Sequence, residues 1–299
     1  MSDKIRWEEM FPDEFVQRRD ACPVAYMAYG LAEPHGAYNA LGLDWLKAQA
    51  LVERAAQEHG GIVAPPCAWH IQDVPEFHDN GKGVGWLCSV GVTNSLASSV
   101  PGDLFYRMVF HQIRAFDARG FHGVILVTGH YGGVERVLRL ACEYYLRRTG
   151  SPIRLRALAD CECIDEILPF RGDHAGICET SQLLHLHPGF VDLNRARVPA
   201  GIGEAFAGHD FAREGRSPSE EIGRQIVQSQ VRNLGKISRE LLESYRPRQD
   251  WKTPNQHEVD DLWHRFERIT RNYWTLTYSE FAKGKKYCMD FPGWEAFGE

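Results

Sequence analysis

The chain has 299 residues and a mass of 34.0 kDa, 43% hydrophobic and 25% charged, which suits a globular protein with one large α/β domain or two modest ones. A net charge of -6 and a pI near 6.1 offer nucleic acid no basic surface, and no apolar run approaches the roughly eighteen residues needed to cross a bilayer. The first residues are charged and lack the apolar core of a signal peptide, while the eight cysteines have no framework spacing, so reduced thiols in a cytoplasm are the expectation.

Residues 23–30 form an apolar run that reads as a buried strand. Glu33-Pro34-His35-Gly36 follows, and in an extended continuation Glu33 and His35 point to the same side, with Pro34 keeping Glu33 out of the helical region. Asp44 then opens a helical pattern over 44–58, where an Asp is ordinarily a cap for backbone donors. Further strands are predicted near 61–65, 86–92, 122–128 and 154–160, and helices near 102–119, 133–149, 178–186 and 221–245. The alternation predicts an α/β fold: a three-layer α/β/α sandwich with a mostly parallel sheet and right-handed crossovers.

Two strand exits carry further chemistry. Thr128-Gly129-His130-Tyr131-Gly132-Gly133 follows the strand at 122–128, and Gly172-Asp173-His174-Ala175-Gly176 leads into Glu179-Thr180-Ser181 at the start of a helix. In an open α/β sheet the loops after the carboxyl ends of strands converge on one crevice. Glu33, His35, Asp44, His130, Asp173, His174 and Glu179 all fall along that rim, an oxygen and nitrogen donor set without thiolate that suits zinc, manganese or ferrous iron. The glycines around His130 lack the spacing and the Lys of a nucleotide-binding loop. Cys178 beside His174 admits a thiol nucleophile only weakly, since such groups need no adjacency in sequence.

These motifs, Glu33-x-His35-Gly36, Asp44, the Gly129-His130 turn and His174-Ala175-Gly176-x-x-Glu179-Thr180, stand in the order found in the creatininase (creatinine amidohydrolase) family, which the chain resembles over roughly residues 20–235. The resemblance implies a metal-dependent amidohydrolase that cleaves a small cyclic or linear amide, such as a creatinine-like lactam or a formamide. It implies two divalent ions per subunit, with Glu33, His35, Asp44, His130 and Glu179 as ligands and Asp44 as the bridge. A metal-bridged water would attack, with His174 as acid and base and Asp173 orienting it or holding the attacking water. It also implies a homo-oligomer, up to a hexamer. Thr128 departs from the usual Asn of the turn, and Gly132 stands where creatininase proper has a Glu ligand, which Glu179 would replace. A metal-binding paralogue without turnover is the alternative.

Tyr131, Trp69 and Trp86 are candidates for substrate binding; Tyr131 alternatively packs under its loop, and the other two lie in or beside a Gly- and Pro-rich stretch from about 65 to 85 that either covers the crevice or is an ordinary surface excursion. His59, His70, His78, His111, His122, His185 and His187 have no partner at ligand spacing and read as surface or satisfied core residues. The hydrolase domain is expected to span 1–245. Residues 246–299 form an aromatic-rich extension, with four of the eight tryptophans, expected to pack on the body of the chain or on a neighbouring subunit.

Overall fold

The computed structural model describes residues 4–71, 97–131, 133–197, 211, 215–274 and 290–299. Four parallel strands, β1 (Val24–Tyr29), β2 (Ile62–Val63), β3 (Gly123–Thr128) and β4 (Arg154–Ala159), lie in the order β2-β1-β3-β4. Tyr29 pairs with Thr128 and Thr128 with Ala159, so β1, β3 and β4 end level with one another. Parallel strands need crossovers long enough for a helix, and the two faces of the sheet are covered accordingly.

Alternate residues of the central strands feed opposite cores. Val24, Tyr26 and Ala28 pack with helix α2 (Leu43–His59) and with α6 (Glu220–Ser244), through Leu51, Val52, Val227 and Leu234. Ala25, Met27 and Tyr29 face α3 (Gly102–Ala118), α4 (Val134–Thr149) and α7 (Gln256–Thr270), through Phe105, Phe110, Val137, Leu138 and Phe266. The expected three-layer sandwich is the observed one. Two shorter helices complete the frame: α1 (Pro12–Ala21), which starts on a proline as first turns tolerate, and α5 (Ile177–Leu186).

The strand expected at 61–65 is cut to two residues. Gly60 and Gly61 turn the chain with φ of 85° and 97°, and the following Pro65 and Pro66 lack the N–H a ladder needs. The strand expected at 86–92 lies outside the described residues. The C-terminal extension packs on the body of the chain: Trp263, Phe266, Trp274 and Trp294 join the core of Phe105, Tyr106, Phe110 and Tyr144. Among the described residues no helix is long and apolar enough to cross a membrane.

Candidate metal centre

The level ends of β1 and β3 explain how α2 reaches the site. Each strand is followed by a glycine, Gly30 and Gly129, and the Gly129 N–H donates to the Tyr29 carbonyl at 2.9 Å. A Cβ on Gly30 would lie 2.5 Å from Trp45 N, and one on Gly129 only 2.0 Å from the Asp44 carbonyl oxygen. The start of α2 therefore rests directly on the backbone of two strands, which drives Asp44 between the loops that leave them. Asp44 is not the cap that its position suggests: the cap residue is Gly42, and the Asp44 carboxylate turns away from the helix end toward two imidazoles.

Six of the sequence candidates meet there. Asp44 Oδ1 lies 3.0 Å from His35 Nε2, which is also 3.7 Å from Glu179 Oε2 and 3.9 Å from Glu33 Oε1. Asp44 Oδ2 lies 3.3 Å from His130 Nδ1, which is 3.0 Å from Glu33 Oε1. Two triads result, His35–Asp44–Glu179 and Glu33–Asp44–His130, each with donor atoms within 4.8 Å of one another, and a ring nitrogen of His174 forms a third such group with Glu33 and His35. Asp44 is common to the first two and offers a different oxygen to each.

Glu33, His35, Asp44, His130 and Glu179 are all buried. Burial works against ionised side chains, yet the site holds three carboxylates. Burial alone would lower the His35 pKa, but Asp44, Glu179 and Glu33 outweigh it and raise it to about 9. Burial likewise disfavours the Asp44 carboxylate, and His35 and His130 overcome this to hold it well below the usual range. The field that draws a proton to this cavity also favours a divalent cation. His35 Nδ1 faces the Glu33 carbonyl at 2.9 Å, which makes it the N–H donor and turns the Nε2 lone pair inward, as a metal ligand requires. Among the described residues His35 Nε2 and Asp44 Oδ2 have only their shared ion-pair cluster as partners and no further hydrogen bond of good geometry. Buried polar atoms in that condition fit cation ligands.

His174 lies above His35, rings stacked at 4.5 Å between centroids, with Nε2 3.0 Å from the Pro34 carbonyl. The turn that carries it has Ala175 at φ 55°, a left-handed conformation unusual for alanine. Three hydrogen bonds hold it: Ala175 N–H to Glu179 Oε2, and Tyr38 and Thr180 hydroxyls to the Ala175 carbonyl.

The remaining candidates occupy other positions. Both oxygens of Asp173 accept backbone N–H groups of the first turn of α5, from Cys178 at 2.8 Å and Glu179 at 3.1 Å, so this carboxylate anchors the helix that presents Glu179. Tyr131 is used structurally as well, its hydroxyl donating to the Asp173 carbonyl at 2.8 Å and accepting from the Asp173 N–H at 3.1 Å. Trp69 is 59% exposed, and Trp86 lies outside the described residues, as does Gly132. The Thr128 hydroxyl donates to the His130 carbonyl across the turn. Cys178 is buried with its thiol pKa pushed up by burial and by Asp173, the opposite of what a thiolate nucleophile needs.

Two buried polar groups escaped the sequence reading. Lys47 is wholly buried, its Nζ 2.6 Å from Glu179 Oε1 and 3.6 Å from Asp160 Oδ2. Asp160, directly after β4, has its pKa pushed up to about 7 by burial despite Lys47. His70 is a satisfied core histidine, as expected: it is buried, Nδ1 lies 2.9 Å from the Ile71 carbonyl and Nε2 3.4 Å from the Thr128 hydroxyl, its ring is 5.5 Å from that of His130, and burial and His130 lower its pKa to about 3. Lys47 had a signal in the sequence, since it lies three residues after Asp44 on the same helical face.

An α/β protein with a buried cluster of carboxylate and imidazole donors beyond its strand ends is the class that this geometry defines. Over residues 8–237 the chain matches the family model described as creatinine amidohydrolase, and it belongs to the creatininase family. It is 26% identical over 191 residues to the creatinine amidohydrolase of Pseudomonas putida, a match covering 58% of this chain and 67% of that protein. Among solved structures, a creatininase variant complexed with creatine aligns with a TM-score of 0.62 at 21% identity, covering 79% of this chain and 98% of the other. A manganese form of creatininase aligns with a TM-score of 0.59 at 22% identity, covering 82% of this chain and all of the other. The family is one of hydrolases acting on amide C–N bonds, and metal dependence accords with the donor groups found here.

Proposed function

We propose that this chain hydrolyses a small cyclic or linear amide, a creatinine-like lactam or a formamide, with two divalent ions (Zn, Mn or Fe) held by Glu33, His35, Asp44, His130 and Glu179. The observation that carries this reading is the division of Asp44, whose two oxygens face two separate triads. Ions bound there would supply Lewis acidity toward the amide carbonyl and lower the pKa of water from about 15.7 to about 7.

The side chains supply the rest. The Glu33 carbonyl fixes the His35 tautomer, and the Thr128 hydroxyl fixes the turn that aims His130. His174 donates from Nε2 to the Pro34 carbonyl and so keeps Nδ1 as the atom that takes up a proton and returns it to the departing nitrogen. Asp173 acts by seating α5, and with it Glu179, at the site.

Metal analysis of the purified protein, with a screen of lactams and formamides in the presence and absence of chelator, tests the proposal. About two equivalents of metal and chelator-sensitive turnover are expected. Metal without turnover on any amide would favour the non-catalytic paralogue instead. His174→Ala should retain its metal and lose about 10²–10⁴-fold in turnover, and undiminished turnover would remove His174 from the chemistry. Assembly as a homo-oligomer, up to a hexamer, belongs to the same reading and is checked by light scattering.

A further inference from the structure

The Glu179 carboxylate has a partner on each side. Oε2 accepts the Ala175 N–H at 2.8 Å and faces His35 Nε2 at 3.7 Å, while Oε1 is taken by Lys47 Nζ at 2.6 Å. Lys47, on α2, is wholly buried, and the groups around its ammonium come from three other segments: Glu179 on α5, Asp160 after β4, and the face of the Tyr131 ring 4.6 Å away after β3. Tyr131 is in turn fixed by its two hydrogen bonds to the Asp173 backbone. A flexible side chain enclosed in this way has little conformational freedom left.

We propose that Lys47 is a positioning residue for Glu179: by holding Oε1 it leaves Oε2 as the one oxygen turned toward His35 and Asp44, and so sets the affinity and coordination geometry of that half of the centre. The inference rests on the two-ion reading above. Lys47 lies one turn beyond Asp44 on α2, so one helix carries both the shared ligand and the clamp on a second ligand. Among the described residues Lys47 pairs directly with Glu179 and Asp160, and it reaches the other half, Glu33–Asp44–His130, only through the charge of the shared Asp44, so that half is expected to respond much less.

Removing Lys47 alone would leave Glu179 and Asp160 as uncompensated buried carboxylates and endanger folding. The test therefore uses Lys47→Met combined with Asp160→Asn, in the full chain, with cobalt(II) titrated into metal-free protein. Visible absorption reports coordination, stoichiometry reports the two halves, and the unfolding midpoint reports the fold. The wild type should bind two equivalents. The double variant should keep one nearly unchanged and bind the other about 10–100-fold more weakly, with an altered spectrum, the usual cost of losing a partner that orients a ligand.

The pair Lys47→Gln and Asp160→Asn restores a neutral donor toward Oε1 and should recover the second equivalent and its spectrum. If Met and Gln at position 47 behave alike, or if the Met variant binds both equivalents as the wild type does, the clamp is overturned. Should only the Gln variant fold, loss of its second equivalent overturns it equally. A wild type that binds fewer than two equivalents would instead overturn the two-ion reading, a result distinct from either.

Discussion

Gly129→Ala perturbs the closest backbone approach that shapes the metal centre. The added Cβ would lie 2.0 Å from the Asp44 carbonyl oxygen and 2.7 Å from its carbon, and both are backbone atoms without a rotamer to swing aside. Contacts under 3.0 Å are essentially unknown for real Cβ atoms, so the start of α2 must retreat by at least the difference, ~1 Å. Overpacking of this kind costs about 1–3 kcal/mol, and a backbone clash belongs at the upper end. For a chain of this size that is a fall of about 5–10 °C in unfolding midpoint. The retreat also carries the Asp44 oxygens away from partners now 3.0 and 3.3 Å distant, in both triads at once. Calorimetry and metal titration read the two consequences together. Gly189→Ala is the control, because nothing lies within 4 Å of its would-be Cβ. If Gly129→Ala melts within about 1 °C of the control and binds metal as the wild type does, the contact between β3 and α2 is not what seats Asp44.

Asp173→Ala removes the acceptor for two N–H groups of α5 and should cost about 1–2 kcal/mol by thermal unfolding; Asp173→Asn, which keeps one acceptor oxygen, should cost less and retain more turnover, and equal loss of turnover in both variants would return Asp173 to the proton chemistry. Trp263→Ala should destabilise by about 3–5 kcal/mol in denaturant titration, and a loss under about 1 kcal/mol would show that its core can close around the gap. Asp117 has its carboxyl raised from 3.8 to about 6 by burial, against hydrogen bonds from Ser151 and Tyr145. The folded chain therefore keeps a proton that the unfolded chain has released, and this contribution is complete below the unfolded pKa and lost as pH rises through about 6. Asp117→Asn should gain about 1–2 kcal/mol on the wild type between pH 4 and pH 7, a figure reduced for partial solvent contact; parallel pH profiles of unfolding would refute this.

The convergence of the candidate ligands was legible in the sequence because short-range spacing aims them: Glu33 and His35 share a side of an extended segment, and His130 leaves a strand of β-branched residues. The layers were legible for the same reason, since β1, β3 and β4 are apolar runs and the helices between them carry periodic apolar faces. Roles that depend on distant partners were not. Asp44 resembled a cap until Gly30 and Gly129 placed the helix start on the sheet. Tyr131 offered a hydroxyl for substrate, but the Asp173 backbone, 42 residues away, engages it. A Lys in a helix ordinarily reads as solvated surface, and only its partners on α5 and after β4 bury Lys47. Helix α7 was missed as a helix although Asn255 and Glu258 form a reciprocal cap that local sequence does encode.

The family match ends at residue 237, yet the rings of Trp263, Trp274 and Trp294 line the same interior as Phe110, Tyr106 and Tyr144 on α3 and α4. The hydrophobic core thus extends beyond the residues that match the family model. A fragment trimmed to the matched residues would present an uncovered aromatic wall to water and be prone to self-association, so expression work on this chain should retain the residues after 237.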